Sequence, residues 1–139
     1  MFESVFAMSH AAPPRVLIAD DSDFIIERAT ATLSADCEIV GAVKNGPAAL
    51  EAVQTLKPDV LVLDISMPGM SGIEVICRLR RAGWTTPTVF LTVHDDESTV
   101  LATQEAGGIG FVVKTHLPSD LRFAVSEARA GRRYVSGIR

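Results

Sequence analysis

Short apolar runs alternate along the chain with longer stretches in which apolar residues recur every three or four positions. The runs predict strands at residues 15–19, 38–43, 60–64, 88–92 and 109–113. The stretches predict a helix after each strand, the last three at residues 73–82, 98–106 and 118–130. Short strands that are apolar throughout and separated by helices are typical of a parallel sheet covered on both faces. The pattern therefore predicts an α/β fold, a doubly wound five-stranded parallel sheet with five helices.

The helix boundaries carry recognisable start and stop signals. Ser22 or Asp23 can cap the first helix, and Asn45 precedes a second helix with Pro47 at its first helical position. Gly107 closes the fourth helix, as glycine often does. Five residues of the first helix recur at helical spacing, which are Phe24, Ile25, Ala29, Thr32 and Leu33. These signals predict amphipathic helices that cover the sheet.

The chain has the length of one domain. At 139 residues with 47% hydrophobic residues it can fill one core. We expect a folded domain at residues 15–131, an N-terminal extension at 1–14, and a tail or the start of a linker at 132–139. The extension has no basic start and no long apolar run, so it does not resemble a signal peptide. No segment reaches the roughly 20 apolar residues of a membrane span, so we expect no membrane partner.

Charge and cysteine content exclude several kinds of partner. The formal net charge is −4 and the pI is about 5.3, which argues against a broad surface for nucleic acid or anionic membrane. We expect any DNA contact to need a part that is not in this chain. Cys37 and Cys77 are far apart and have no Cys-x-x-Cys spacing, so neither a zinc site nor a disulfide is indicated. A reducing cytoplasm is the expected location.

Polar residues stand where the predicted strands end. Asp20 and Asp21 follow the first strand, Asp64 ends the third, Thr92 ends the fourth and Lys114 follows the fifth. Any one of these carboxylates could be an ordinary helix cap or turn residue. Ligands of open parallel sheets bind outside the carboxyl ends of the strands, so the five side chains are expected to converge there.

Three converging carboxylates repel one another unless a cation joins them. Mg2+ prefers oxygen ligands and keeps several waters, so one or two carboxylates, a carbonyl and a phosphoryl oxygen suit it. The ammonium of Lys114 can neutralise an incoming phosphoryl oxygen, or pair with Asp64 when no phosphoryl group is present. The sequence therefore predicts a Mg2+-dependent phosphate chemistry at this edge of the sheet.

The same residues lie in motifs that resemble the receiver domains of bacterial two-component response regulators. The resemblance covers residues 15 to about 131 and implies the flavodoxin-like receiver fold. The matching pieces are Val-Leu-Ile-Ala-Asp-Asp at 16–21, Val-Leu-Val-Leu-Asp at 60–64, Met-Pro-Gly-Met-Ser-Gly at 67–72, Phe-Leu-Thr at 90–92 and Phe-Val-Val-Lys at 111–114. One departure is Thr115, which stands after the lysine where many receivers have proline.

The resemblance implies a role for each site residue. Asp64 is the residue that a sensor histidine kinase phosphorylates, and Lys114 binds the phosphoryl group. Asp20, Asp21 and Asp64 bind Mg2+ with the backbone carbonyl of Ser66. Thr92 is the switch hydroxyl, and the aromatic ring that changes rotamer is Phe111. Such a protein is not an enzyme with a separate substrate, since it catalyses its own phosphoryl transfer and its own slow dephosphorylation.

Details of the sequence are closest to the LuxR-type subgroup of these regulators, also called the NarL/FixJ class. They are Cys-Glu-Ile-Val-Gly at 37–41, Val-His-Asp-Asp-Glu at 93–97 and Gly-Arg-Arg-Tyr-Val-Ser at 131–136. The subgroup regulates transcription through a helix-turn-helix domain that follows the tail. We expect the chain to be a fragment of such a regulator, with a stand-alone receiver that acts through protein contacts as the alternative. Homodimerisation on phosphorylation is left open.

Three alternatives fit the residues less well. A flavodoxin-like module that binds FMN needs phosphate-cradling Gly, Ser or Thr after the first strand, where this chain has Asp20 and Asp21. A hydrolase of the haloacid dehalogenase type has a second Asp two positions after its nucleophile, where this chain has Ser66. A receiver that no longer takes phosphate would have lost one of the five site residues, and all five are present.

Overall fold

Six parallel strands form the central sheet of the computed structural model, which describes residues 12–94 and 96–136. The strands are β1 (Arg15–Ala19), β2 (Glu38–Val43), β3 (Val60–Asp64), β4 (Thr88–Thr92), β5 (Gly110–Val113) and β6 (Tyr134–Val135). Their order across the sheet is β2-β1-β3-β4-β5-β6, and every neighbouring pair is parallel. The chain therefore moves outward from β1 to β2 and then crosses back to β3, so the strand order reverses beside β1. This reversal is where ligands of doubly wound sheets bind.

Five α-helices cover the sheet. They are α1 (Asp23–Leu33), α2 (Gly46–Leu56), α3 (Gly72–Arg81), α4 (Glu97–Ala106) and α5 (Leu117–Arg129). Helices α1 and α5 bury their apolar residues with one face of the sheet, whereas α2 and α3 do so with the other. Helix α4 lies on the second face but buries only Thr103 fully. The predicted doubly wound parallel fold is confirmed, and α4 is its least buried helix.

Local capping explains where the helices begin and end. The Ser22 hydroxyl accepts a hydrogen bond from the Ile25 N–H at 3.3 Å, and the Asn45 side chain accepts one from the Ala48 N–H at 2.8 Å. Each bond satisfies an amide that the first turn of a helix leaves free. Gly107 ends α4 at φ 113°, a left-handed conformation that glycine adopts without strain. The predicted bounds of the last three helices differ from the observed ones by at most one residue.

The predicted apolar stripe of α1 is wrong at one position. Ala29 and Leu33 are buried, but the Phe24 side chain is 63% exposed. At about 100° per residue, Phe24 lies about 140° around the helix from Ala29 and opposite Leu33. Ile26 falls on the correct side and packs against the core instead. Several apolar residues of α1 recur at helical spacing, so two faces of the helix were possible as the buried face. Packing against the sheet determines which of the two is buried.

The sheet has one strand more than predicted. Tyr134 and Val135 form β6 and pair with Gly110 and Phe111 of β5. A two-residue strand is too short to show a period, so the sequence pattern could not indicate it. Residues 134–136, which were expected to belong to a tail, therefore reach the sheet. The predicted extension at 1–14 and the end of the tail lie mostly outside the described residues.

Within the described ranges, no helix combines the length and the apolar character that crossing a bilayer requires.

Candidate functional site

The carboxyl ends of four strands bring the predicted site residues to one edge of the sheet. Asp64 is the last residue of β3, and Thr92 is the last residue of β4. Asp20 and Asp21 directly follow β1, and Lys114 directly follows β5. A cleft of about 320 Å3 opens at this edge, lined by Asp21, Asp64, Ile65, Ser66, Thr92, Val93, His94, Thr99 and Lys114.

Three carboxylates meet at this edge of the sheet. One oxygen from each of Asp20, Asp21 and Asp64 lies within 4.8 Å of the others. Asp20 is fully buried and Asp64 is 3% exposed, whereas Asp21 is exposed to solvent. Backbone amides fix the two buried groups, because Ser22 N–H donates to Asp20 Oδ1 at 2.9 Å and Ser66 N–H donates to Asp64 Oδ1 at 3.2 Å.

Lys114 bridges the two buried carboxylates. Its Nζ lies 2.9 Å from Asp20 Oδ2 and 3.3 Å from Asp64 Oδ1. Asp20 Oδ2 is nevertheless a buried oxygen without a well-directed hydrogen bond, so its neighbour is an ion-pair partner only. When all groups are ionised, three carboxylates and one ammonium leave two negative charges in the cleft. An all-oxygen donor set with that residual charge fits a hard divalent cation.

The buried charges shift the pKa values of their neighbours. Burial raises the pKa of Asp64 from 3.8 to about 6, and the charge of Asp20 adds to the effect against the opposing influence of Lys114 and the Ser66 amide. Burial lowers the pKa of Lys114, but its ion pairs with Asp20 and Asp64 outweigh that effect and raise the pKa above its ordinary value. At neutral pH the site therefore holds a charged lysine and a carboxylate that ionises less readily than an ordinary aspartate.

This shift predicts a pH-dependent gain of stability in Asp64→Asn. The folded-state pKa of Asp64 lies above its unfolded value, so ionisation destabilises the fold fully above pH 6, progressively less down to pH 3.8, and not below it. Without bound cations, the neutral variant should be more stable than the wild type by about 1–3 kcal/mol at pH 8. Urea unfolding at pH 8 and at acidic pH measures the difference.

A matched control for that measurement is Glu51→Gln, which removes an exposed carboxylate of α2. Its stability should follow that of the wild type at both pH values, because an exposed carboxylate is well solvated. Equal stabilities of Asp64→Asn and wild type at pH 8 would show that Lys114 fully compensates the charge of Asp64.

Thr92 presents a hydroxyl to the cleft, and Phe111 lies in the hydrophobic core. The Thr92 Oγ1 accepts a hydrogen bond from the His94 N–H at 3.0 Å, which leaves the hydroxyl proton free to donate. Phe111 is 1% exposed and stands beside Phe90 in the strand register. The structure thus brings Thr92 to the cleft and keeps Phe111 out of it. A rotamer change of Phe111 stays a prediction.

Ser66 lies at the rim of the cleft, and its backbone amide already holds Asp64. The predicted use of its carbonyl as a metal ligand stays a prediction.

Gly72 is a site residue whose role the sequence analysis missed. A Cβ atom at this position would lie 2.2 Å from the carbonyl oxygen of Asp64 and 3.1 Å from Ile65 Cα. The Gly72 N–H also donates to the Ile65 carbonyl at 2.7 Å. The start of α3 therefore presses against the backbone at the end of β3 and fixes the position of Asp64. The only signal in the sequence was the final glycine of the motif at 67–72.

Comparisons with known proteins agree with this geometry. The family model described as response regulator receiver domain matches residues 16–126. The nitrate/nitrite response regulator protein NarL of Escherichia coli strain K12 is 30% identical over 131 residues, and NarP of the same strain is 34% identical over 131 residues. Both alignments cover 93% of this chain and 61% of the relative, so the chain spans less than two thirds of the length of these relatives.

Solved structures show the same relationship. The signal receiver domain of the putative response regulator NarL from Mycobacterium tuberculosis superimposes with a TM-score of 0.83 at 31% identity, covering 87% of this chain and 99% of that one. A LuxR-family two-component response regulator from Aurantimonas sp. SI85-9A1 superimposes with a TM-score of 0.85 at 26% identity, covering 91% of both chains. The resemblance to LuxR-type receivers is confirmed, and this chain belongs to the response regulator receiver domain family.

Proposed function

We propose that the chain is a phosphorylation-controlled switch in which Asp64 accepts a phosphoryl group from a sensor histidine kinase in a Mg2+-dependent reaction. The observation that carries the proposal is the surroundings of Asp64. This carboxylate lies at the bottom of an open cleft, paired with one ammonium and within 4.8 Å of two further carboxylates. A carboxylate that only caps a helix would not need an ammonium and two further carboxylates beside it.

The two oxygens of Asp64 have different tasks. Oδ1 accepts the Ser66 N–H and pairs with Lys114, which leaves Oδ2 as the nucleophile. A bond forms between Oδ2 and phosphorus while the bond between phosphorus and the histidine nitrogen of the kinase breaks, and that nitrogen keeps the electron pair. The Lys114 ammonium and the Thr92 hydroxyl then stabilise the negative charge on the phosphoryl oxygens. The protein modifies itself and turns over no separate substrate.

Mg2+ would be held by Asp21 and Asp64 together with the Ser66 carbonyl. When bound, it neutralises charge on the phosphoryl oxygens. Asp20 is fully buried, with Oδ1 bonded to Ser22 and Oδ2 paired with Lys114, so it is better placed to orient its neighbours than to bind the ion directly. Asp21 is exposed beside it and has its carboxylate available.

This division of tasks predicts different Mg2+ affinities for two isosteric variants. Asp21→Asn should lose about tenfold or more in affinity, because it removes charge from a direct ligand. Asp20→Asn should lose less, since that side chain acts through Lys114 and Ser22. NMR titration with Mg2+ measures both dissociation constants. Equal affinities of wild type and Asp21→Asn would contradict the assignment.

The proposed function is tested by incubating the protein with acetyl phosphate and measuring its intact mass. With Mg2+ the protein should gain one phosphoryl group that hydroxylamine removes, as expected for an acyl phosphate. With EDTA in place of Mg2+ the gain should be almost abolished. A protein that remains unmodified with Mg2+, or that carries a hydroxylamine-resistant group, is not this switch.

A change of structure on phosphorylation should depend on Thr92. To reach a phosphoryl oxygen on Asp64, the hydroxyl would move inward and stretch the bond that it accepts from the His94 amide, and α4 begins shortly afterwards at Glu97. Because α4 buries only Thr103 fully, it can shift at a low cost in free energy. We expect the shift to change the surface formed by α4, β5 and α5. Phe111 is already buried, so it either adjusts within the core or stays fixed.

NMR spectra with and without beryllofluoride, a mimic of the phosphoryl group, test this dependence. The wild type should shift across residues 96–125, and Thr92→Ala should lose most of those shifts while it still binds the mimic. Thr85→Ala, an exposed threonine in the loop before β4, should behave like the wild type. Full-sized shifts in Thr92→Ala would rule out the hydroxyl as the switch.

We propose further that the switch regulates transcription in the cytoplasm through a DNA-binding domain outside residues 1–139. The relatives include proteins named DNA-binding response regulator, such as MtrA of Mycolicibacterium smegmatis, which is 36% identical over 107 residues. The net charge of −4 supports an indirect contact with DNA. A receiver that acts alone through protein contacts, and a homodimer formed on phosphorylation, remain the alternatives for its output.

A further inference from the structure

Three hydrogen bonds tie the end of the described chain to the edge of the sheet. Tyr134 N–H donates to the Ile109 carbonyl at 3.2 Å, and Ser136 N–H donates to the Phe111 carbonyl at 2.9 Å. In the third, the Val113 N–H donates to the Ser136 hydroxyl at 3.2 Å. We call residues 134–136 with these three bonds the C-terminal latch.

Ser136 is the central residue of the latch. It is only 4% exposed although it is polar, and both its amide and its hydroxyl bond to β5. Its hydroxyl takes the place that a strand carbonyl would take, because β6 ends one residue earlier. Without it, the Val113 amide would lose its partner in a buried position, which is unfavourable.

The latch is connected to the phosphorylation site through one peptide bond. Val113, which donates to Ser136, is followed directly by Lys114, which pairs with Asp20 and Asp64. The partners of these two neighbouring residues, Ser136 and Asp64, lie on opposite sides of β5. In the order of the sheet, β3 with Asp64 lies beyond β4 on one side, and β6 is the neighbour on the other.

We propose that phosphorylation of Asp64 loosens the C-terminal latch. A phosphoryl group carries more negative charge than the carboxylate it modifies and attracts Lys114 more strongly. The pull on the end of β5 is directed towards β3, and therefore away from β6. The bond between Val113 and Ser136 is the one nearest to Lys114, and at 3.2 Å it lies at the long end of the range for such bonds. Its loss frees residues 134–136, and any chain that continues from them, from the edge of the sheet.

The coupling is reciprocal, because a phosphoryl group that weakens the latch is itself bound better when the latch is absent. Ser136→Ala removes the hydroxyl that holds Val113. It should therefore bind beryllofluoride about 2- to 10-fold more tightly than the wild type, the range that one hydrogen bond supplies. A serine with only a structural role would lower the stability of the protein without changing this affinity.

The test uses the complete 139-residue chain and rests on the proposed function. Beryllofluoride with Mg2+ is titrated into wild type, Ser136→Ala and the exposed control Ser126→Ala, and amide hydrogen exchange is measured by NMR. In the wild type, the ligand should accelerate exchange at Val113 and Ser136 by about 3- to 10-fold. Ser126→Ala should match the wild type in affinity and in exchange.

The outcomes distinguish a failure of the latch proposal from a failure of the proposed function. If the wild type binds the mimic but exchange at Val113 and Ser136 is unchanged or slower, the latch is not released and the inference is wrong. It is equally wrong if Ser136→Ala and wild type bind the mimic with the same affinity. If the wild type shows no binding at Asp64, the proposed function fails as well. Because hydrogen exchange is also measured on the wild type, the proposal can be tested even if Ser136→Ala folds poorly.

Discussion

Asp64→Asn is expected to abolish phosphorylation by acetyl phosphate. The substitution keeps the size and shape of the side chain but replaces the nucleophilic oxygen and removes the charge that pairs with Lys114. Neither of the two neighbouring carboxylates has the same surroundings, because Asp20 is fully buried against Lys114 and Asp21 is exposed to solvent. Intact mass after incubation with Mg2+ and the phosphodonor measures the loss directly.

Two features make this result easy to interpret. The variant should be at least as stable as wild type at neutral pH, because the pKa of Asp64 is raised to about 6 and its charged form therefore lowers the stability of the folded protein. Misfolding therefore would not explain a loss of activity. The matched control is Asp23→Asn, which removes an exposed aspartate that pairs with Lys44 outside the cleft. A variant at position 64 that gains the hydroxylamine-sensitive group at the normal level would show that the acceptor is another residue.

The second large effect is expected from Gly72→Ala, which adds a single methyl group. That carbon would lie 2.2 Å from the carbonyl oxygen of Asp64, where no carbon atom can remain. Either the start of α3 or the end of β3 must move, at a cost of about 3 kcal/mol in the free energy of unfolding. Urea unfolding measures the change.

The same displacement should slow phosphorylation, because the nucleophile moves with its backbone. A shift of about 1 Å at a reacting group can reduce a rate about 100-fold. Gly83→Ala is the control, since Gly83 has φ 92° but no atoms within 4 Å of an added Cβ. It tests backbone strain without a clash and should leave the phosphorylation rate unchanged. Equal losses of stability in both variants would mean that the contact at Gly72 is not the cause.

The sequence predicted the parallel sheet and the convergence of the site for a single reason. In this fold both follow from where apolar runs stop, and the runs at β1 and β3 each stop at an acidic residue. The backbone topology then brings Asp20, Asp64 and Lys114 together without any specific side-chain contact being known. The resemblance to receiver domains added the roles of the residues, including the switch residues Thr92 and Phe111, which topology alone does not indicate.

Features that depend on distance in three dimensions could not be predicted in this way. The role of Gly72 requires the separation between two backbone segments, and the exposure of Phe24 requires knowing which side of α1 meets the sheet. The strand β6 has two residues, too few to show an alternating pattern. The pairing of Lys114 with two carboxylates rather than one likewise follows from coordinates only.

The wide separation of the site residues along the chain has a consequence for protein synthesis. Asp20 and Lys114 are brought together only after four of the six strands have been made and β5 has joined them. A nascent chain whose residue 114 has not yet emerged from the ribosome would contain the acidic residues but not the Lys114 ammonium that balances their charge. Such long-range pairing forms late in folding. The proposed phosphorylation of Asp64 would therefore require a chain that has been made and folded at least as far as Lys114.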